Sequence, residues 1–494
     1  MKDKLAKGVA WLGAAKVVVN ILALISTLIL ARLLTPEDFG LVALATAMLT
    51  IISSVTELSL ASALIHHKEP TDAHFNTAWT LNLCRAFIIG LIFCVIAPIV
   101  ASAYNEPRLF NIMLVIGASV IFTGVNNPKT VMLTRNLVFW QEFVMTVSQK
   151  LAGFIVGITI AITYKSYWAL VGGMVASQLV GIIVSYVIIP FWPKFSLVHA
   201  KELWSFSIWL TLGKIVNTLN WNLDQLLVGS YLGKTVLGFY SVGDKLAGMS
   251  SREIIGPLET TLFPAFSQIR GDNVRLQSAY KLAQTLIFAI SLPLGVGFAL
   301  VAHSVVLLLM GEKWLPAVEV IQIIAVTVSF QTLSAAAQPL AMAKGETKFL
   351  FQRDLISFLI RVPLIIIGLI YGGLIGLLYG RAISTFISIA MNMFIVRRLI
   401  GTKVISQVQA NARSLISIIM MSGTVLLLQH LIGREGTALI LTLKIATFIL
   451  VGTLVYALTS TLIWQRLGKP FGPETQLVGI LSKLIAKVLL RNKY

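Results

Sequence analysis

Long apolar stretches, separated by short polar connections, run along the whole chain of 494 residues. Each stretch has about 20 residues or more, the length that a helix needs to cross the hydrocarbon core of a bilayer. Only helices and closed barrels satisfy their backbone in lipid, and stretches this long exclude barrel strands. The pattern predicts an all-α polytopic membrane protein. Fourteen spans are predicted, at 9–31, 40–64, 78–103, 110–133, 143–163, 167–189, 204–232, 236–266, 282–310, 316–342, 352–372, 374–396, 414–432 and 437–463.

The charged residues support this interpretation. Only 12% of the residues are charged, about half of the share found in soluble proteins. The net charge of +19 would favour nucleic-acid binding in a soluble protein, but here the basic residues follow the predicted topology. Of 39 lysines and arginines, 24 lie on the side of the two termini and six on the opposite side. The positive-inside rule therefore places both termini in the cytoplasm.

The first apolar segment recurs near the middle of the chain at an offset of 198 positions. The matched pairs are Trp11 with Trp209, Lys16 with Lys214, and Gly40 with Gly238. Six spans separate the copies, so both have the same orientation, and transporters bind substrate at the interface between such parallel repeats. The predicted domains are an N-lobe of spans one to six (1–202), a C-lobe of spans seven to twelve (203–402), and 403–494, with spans thirteen and fourteen and a basic amphipathic cytoplasmic tail.

Nine cations and only five acids lie more than five residues from either end of a predicted span. A lysine or arginine that faces lipid at mid-bilayer costs about 2.5–3.5 kcal/mol. Nine of them would cost about 20–30 kcal/mol, more than the roughly 5–15 kcal/mol that stabilises a typical fold. Five acids cannot neutralise nine cations. Some of these cations are therefore expected to line a water-filled cavity.

Helical spacing selects the candidate residues. Lys214, Trp221 and Asp224 share one face of span seven, and Lys245 and Arg252 are one heptad apart in span eight. A cavity with surplus positive charge favours an anion, and clustered arginine and lysine are typical of phosphate sites. The candidate substrate-binding residues are Lys16, Lys214, Lys245, Arg252, Arg361, Arg381 and Trp221, and the candidate ion-coupling residues are Glu57 and Asp224. For Lys16, snorkelling to the membrane surface stays open as an alternative.

Two matching segments carry a family resemblance. ARLLTPEDFGLVALA (Ala31–Ala45) and its counterpart SYLGKTVLGFYSVGD (Ser230–Asp244) resemble the polysaccharide transporter family. These are Wzx-type flippases, including colanic-acid-exporter-like members, of the multidrug/oligosaccharidyl-lipid/polysaccharide (MOP) superfamily. The resemblance covers essentially the whole chain, with two six-span lobes, two further spans and both ends inside.

The resemblance implies a function. Such proteins flip undecaprenyl-pyrophosphate-linked oligosaccharide, a polysaccharide repeat unit, across the bacterial inner membrane by alternating access. Their cationic cavity lies between spans 1, 2, 7 and 8. The residues that would lie on these spans here are Lys16, Glu57, Lys214, Asp224, Lys245 and Arg252. The expected partners are the lipid-linked oligosaccharide and membrane lipid, with a polysaccharide polymerase and a chain-length regulator as further candidates. Neither nucleic acid nor a cofactor is expected, and the monomer is expected to function.

Two other functions fit parts of the sequence less well. A cation-coupled multidrug antiporter of the same superfamily needs intramembrane acids, which Glu57 and Asp224 supply, but the positive excess argues against it. A membrane polysaccharide polymerase or ligase is expected to carry sizeable outer loops with catalytic groups, whereas the outer connections here are short, as at Asn105–Arg108. We therefore predict a transporter without catalytic residues. No metal site is predicted, because no acids complete a shell around the loop histidines His66, His67 and His74.

Overall fold

The structure is a computed structural model. It describes residues 2–56, 60, 64, 67, 70–136, 138–249, 261–470 and 472–476, without the side chains of 2–10, 12, 134, 202–214 and 347. Every regular element within these ranges is helical, which confirms the predicted all-α membrane fold. The helices of the first part are Lys2–Leu33, Pro36–Val55, Asp72–Ala103, Arg108–Thr123, Val131–Arg135, Phe139–Tyr164, Trp168–Ile188 and Ala200–Met249. Those of the second part are Asn273–Leu309, Ala317–Gln331, Ala337–Ala343, Thr347–Ile400, Val404–Gln409, Ala412–Ile432 and Ala438–Arg466.

A described helix lies in each of the fourteen predicted spans, and ten stretches are long and apolar enough to cross a membrane. The two numbers differ for structural reasons. Thr347–Ile400 contains two predicted spans, joined by a break at Gly372 and Gly373. Arg108–Thr123 has only 16 residues, and Ala200–Met249, where predicted spans seven and eight lie, is not among the ten stretches. The number of fourteen spans therefore stays a prediction.

The chain forms two compact units, Met1–Val242 and Gly243–Tyr494. The predicted lobes, 1–202 and 203–402, are defined by the sequence repeat, whereas these two units are defined by contacts in space. The lobes therefore stay a prediction.

Small residues bring neighbouring helices of the first unit together. A Cβ atom added to Gly153 would lie 2.8 Å from the carbonyl oxygen of Gly173, so Phe139–Tyr164 and Trp168–Ile188 touch through their backbones. Close contact at small residues is the usual way in which helices pack in lipid, where apolar burial between helices adds little. The two helices therefore form a closely packed pair within the first unit.

In the second unit, polar side chains hold the last two long helices against Asn273–Leu309. The Gln429 amide donates to the carbonyl oxygen of Leu300 at 2.7 Å, and the Tyr456 hydroxyl donates to that of Ala289 at 3.0 Å. Such bonds satisfy polar groups that lipid cannot hydrate. Spans thirteen and fourteen are therefore attached to span nine through specific contacts.

Candidate functional site

Asp224 joins the two arms of a helical hairpin. The Ala200–Met249 helix turns at Gly233, whose φ of 84° is a backbone conformation that glycine adopts at little cost. Below the turn, the fully buried Asp224 carboxylate accepts a 2.9 Å hydrogen bond from the Tyr240 hydroxyl on the other arm. A buried carboxylate is costly unless it is hydrogen-bonded. This candidate ion-coupling residue therefore also fixes the two arms of spans seven and eight to each other.

The other candidates in these two spans are only partly described. Trp221 is 36% exposed on the first arm, and Lys245 is exposed on the second. Lys214 lies within the helix, but its side chain is outside the described part of the chain, as are Glu57 and Arg252 altogether. Among the candidates of span one, Lys16 is half-buried.

Arg361 and Arg381 lie on the two arms of the Thr347–Ile400 hairpin and are both buried. The arms are in backbone contact at Gly368 and Gly376, and the hydroxyls of Ser357 and Ser388 are 3.0 Å apart. This register places the two arginines within about one helical turn of each other in height. The structure therefore brings two predicted binding cations to similar depth in one hairpin.

Arg381 has a carboxylate partner on another helix. Its guanidinium donates to Asp244 at 2.7 Å, and the two side chains are 6% and 18% exposed. Removing one member of a buried ion pair leaves an uncompensated charge, at a cost of about 3–5 kcal/mol. Asp244 lies on the arm that follows Gly233 in the Ala200–Met249 hairpin. Its carboxylate therefore fixes the position of the Arg381 guanidinium.

Four charged side chains form a cluster where the turns at 34–35, 104–107 and 233 meet. We call this the turn-face cluster, and it consists of Glu37, Glu106, Arg108 and Lys234. Arg108 donates to both oxygens of Glu106, at 2.7 and 2.9 Å, and to Glu37. Lys234 pairs with Glu37 at 3.0 Å and also contacts Glu106. The cluster therefore ties the hairpin that turns at Gly233 to the ends of three earlier helices.

Local structure explains how the acids reach these positions. Thr35 and Asp38 form a capping box at the start of Pro36–Val55, in which Asp38 accepts from the Thr35 backbone at 2.9 Å. Asp38 thus caps the helix, whereas the neighbouring Glu37 forms salt bridges with Arg108 and Lys234. At the next turn, Asn105 adopts a left-handed φ of 48° and Glu106 is buried.

The close pairing in the turn-face cluster changes its acid–base behaviour. The hydrogen bond from Arg108 lowers the pKa of Glu106 to about 2, with a further contribution from Lys234 and against the effect of burial. The hydrogen bond to Glu106 raises the pKa of Lys234, and hydrogen bonds to Glu106 and Glu37 raise that of Arg108. All four groups are therefore charged around neutral pH.

Sequence reasoning did not find the turn-face cluster. Its members lie at or near turns up to 197 positions apart, as for Glu37 and Lys234, and helical periodicity carries no information about which of these positions meet. A usable signal was that Arg108 and Lys234 belong to the few cations on the side opposite the termini. Cations are depleted on that side by the positive-inside rule, so the few that occur there are candidates for specific ion pairs.

The fold is similar to those of solved membrane transporters. A structure of the lipid II flippase MurJ in an inward closed conformation is 16% identical, with a TM-score of 0.74 over 92% of this chain and 98% of that chain. An inward-facing multidrug resistance MATE family transporter of the MOP superfamily is 13% identical, with a TM-score of 0.62 over 78% of this chain and 98% of that chain. The chain is a multi-pass membrane protein with the same fold as these two structures.

Sequence comparison identifies the family. The sequence model of the family described as "Polysaccharide biosynthesis protein" matches residues 29–319, more than half of the chain, and the chain belongs to this family. This confirms the resemblance seen at Ala31–Ala45 and Ser230–Asp244. The lipopolysaccharide biosynthesis protein WzxC of Escherichia coli K12 is 23% identical over 74% of this chain and 76% of its own length. The succinoglycan biosynthesis transport protein ExoT of Rhizobium meliloti is 23% identical over 93% of this chain and 94% of its own length.

Proposed function

We propose that this protein is a flippase that translocates undecaprenyl-pyrophosphate-linked oligosaccharide, a polysaccharide repeat unit, by alternating access between two lobes. The observation that carries the proposal is the family match over residues 29–319. The relatives support it, because they are named for lipopolysaccharide, succinoglycan and teichuronic acid biosynthesis. The fold supports it too, since it is shared with a lipid II flippase. The proposal is therefore a transporter without catalytic residues.

The buried cations fit an anionic lipid headgroup. Arg361 and Arg381 are buried at similar depth in one hairpin, and Asp244 orients Arg381. Arginine binds phosphate oxygens through a planar fork of donors, and a low-dielectric environment strengthens such bonds. In the proposed mechanism the pyrophosphate binds intramembrane cations, the glycan occupies a hydrated cavity, and the polyprenyl chain stays in lipid. The proposed binding residues are Lys16, Lys214, Lys245, Arg252, Arg361, Arg381 and Trp221, and Glu57 and Asp224 are proposed to couple an ion.

The proposed location is the bacterial inner membrane, with both termini in the cytoplasm. The turn-face cluster then lies on the outer side of the membrane. A polysaccharide polymerase and a chain-length regulator are the proposed protein partners, and the monomer is proposed to be the transporting unit.

The test is transport in reconstituted vesicles. Protein-containing and protein-free vesicles receive a polyprenyl-pyrophosphate oligosaccharide in one leaflet, and a membrane-impermeant glycan-modifying reagent reports its arrival in the other. The proposal expects movement that depends on the protein. If the lipid does not move, while a proton or sodium gradient drives efflux of a cationic dye, the protein is an antiporter and the proposal is wrong.

A further inference from the structure

Two glycines related by the sequence repeat make reciprocal backbone contacts. A Cβ atom on Gly40 would overlap the carbonyl oxygen of Lys234, and a Cβ atom on Gly238 would overlap that of Pro36. Pro36 and Lys234 are themselves 198 positions apart, like the two glycines. Equivalent residues that contact each other in both directions imply a local two-fold relation, as in isologous interfaces. The starts of spans two and eight therefore meet on the pseudo-two-fold axis of the repeat.

The turn-face cluster surrounds this contact. Lys234 supplies the carbonyl oxygen against Gly40 and also the ammonium group that pairs with Glu37 and Glu106. Glu37 follows Pro36 directly, and Arg108 connects Glu37 to Glu106. Backbone contact and ion pairs thus join the same two helix starts. In the predicted lobes, Lys234 belongs to the second repeat and the other three charges belong to the first.

We propose that the Gly40–Gly238 contact and the turn-face cluster form a latch that keeps the turn face closed and must separate before substrate can leave on that side. The latch rests on the proposed alternating access. Any opening of two repeats toward the turn face separates the starts of spans two and eight, because these helix starts meet on the axis between the repeats. Separation breaks the pairs of Lys234 with Glu37 and Glu106.

The composition of the cluster suits a latch that opens repeatedly. Two acids balance two cations, so the closed cluster does not offer surplus positive charge that would retain an anionic substrate at its exit. Lys234 and Glu37 are 37% and 35% exposed. A partly exposed pair of this kind changes an equilibrium by only up to about fivefold. Several such pairs together favour the closed state without making it permanent.

A buried reporter cysteine below the latch tests the proposal. Leu44 is one helical turn beyond Gly40 and buried, and its side chain would lie 3.2 Å from a Cβ atom on Gly229 of the hairpin. Leu44→Cys is placed in full-length protein with Cys84→Ser and Cys94→Ser, reconstituted in vesicles. A membrane-impermeant methanethiosulfonate is then added on the turn-face side. We expect Lys234→Gln to accelerate labelling by about five- to thirtyfold, the effect of losing one to two kcal/mol of closure.

The matched control is Lys165→Gln, which removes an exposed lysine from another connection on the same predicted side. Labelling in this variant should equal that of the parent. Glu106→Gln provides a second test should Lys234→Gln fold poorly, and it should also accelerate labelling. Equal labelling in the parent and in both latch variants would overturn the proposal. The assay needs no substrate, so this result is independent of whether the protein flips lipid.

A second measurement closes the latch chemically. A short bifunctional methanethiosulfonate joins Glu37→Cys to Lys234→Cys in a background without the native cysteines. We expect cross-linking to stop lipid movement and a reductant to restore it. Cross-linked protein that still flips at the uncross-linked rate would show that this contact does not open during transport. If the protein flips no lipid even before cross-linking, the proposed function fails, and the labelling assay alone decides the latch.

Discussion

Gly40 and Gly238 are 198 positions apart in the chain, and each lies against the backbone of the helix that carries the other. The sequence repeat is thus also a contact in space. The absence of a side chain at both positions allows the helix starts to approach this closely, as small residues do at helix interfaces in membranes.

Gly40→Ala should force these helix starts apart. The added methyl group would overlap the carbonyl oxygen of Lys234, and a backbone atom cannot rotate out of the way. We expect faster labelling of Leu44→Cys from the turn face in this variant. Gly423→Ala is the control, because a Cβ atom there meets nothing within 4 Å. Unchanged labelling in Gly40→Ala would contradict the contact.

Tyr240→Phe should destabilise the hairpin of spans seven and eight. It removes a hydrogen bond to the buried carboxylate of Asp224, and bonds to charged groups contribute about 1.5–3 kcal/mol. We expect lower thermal stability in detergent. Tyr231→Phe changes an exposed tyrosine of the same hairpin and should leave stability unchanged. Equal unfolding temperatures for the two variants would argue against a structural role of the Asp224–Tyr240 bond.

Asp244→Asn should destabilise the fold, because it removes the carboxylate that pairs with the buried Arg381 guanidinium. We expect a loss of about 3–5 kcal/mol in the free energy of unfolding, measured by denaturant titration in detergent. Asp272→Asn removes a carboxylate from the exposed Arg275–Asp272 pair of the same unit, and we expect it to cost less than about 1 kcal/mol. Similar losses in the two variants would show that the Arg381–Asp244 pair is not effectively buried.

The stabilisation from Glu106 should persist into mild acid. Its pKa is lowered from 4.5 to about 2 in the folded protein, so its contribution is complete above pH 4.5 and is lost as the pH falls toward 2. The stability difference between wild type and Glu106→Gln should therefore be constant from pH 7 to about 5 and shrink below that. The measurement is thermal unfolding of both proteins across this range. A difference that disappears between pH 7 and 6 would contradict the pairing.

The sequence predicted the helices well, because membrane spanning is a local property of about 20 consecutive residues. The polar faces were partly predictable for the same reason. Helical spacing placed Asp224 on the polar face of span seven, and its carboxylate accepts a hydrogen bond from Tyr240 of span eight. The exact span count was less accessible, since Gly372 and Gly373 connect two spans without a polar loop.

Pairs between distant segments could not be predicted. Arg381 was predicted to line the cavity from its position within span twelve, and its partner Asp244 is 137 positions away. The turn-face cluster was missed because its charges come from connections, where no periodicity constrains which side chains meet. The equivalence of Gly40 and Gly238 was visible from the repeat, but their contact depends on how the repeated helices pack.

The most direct test of the central claim measures transbilayer movement of a polyprenyl-pyrophosphate oligosaccharide by wild type, Lys214→Ala and Arg252→Ala, with Lys165→Ala as a surface control. Hydrogen bonds to charged groups contribute about 1.5–3 kcal/mol, so each site variant should flip about 10- to 150-fold more slowly than wild type. The control should match wild type. Undiminished flipping by both folded site variants would contradict the claim that intramembrane cations carry the anionic headgroup.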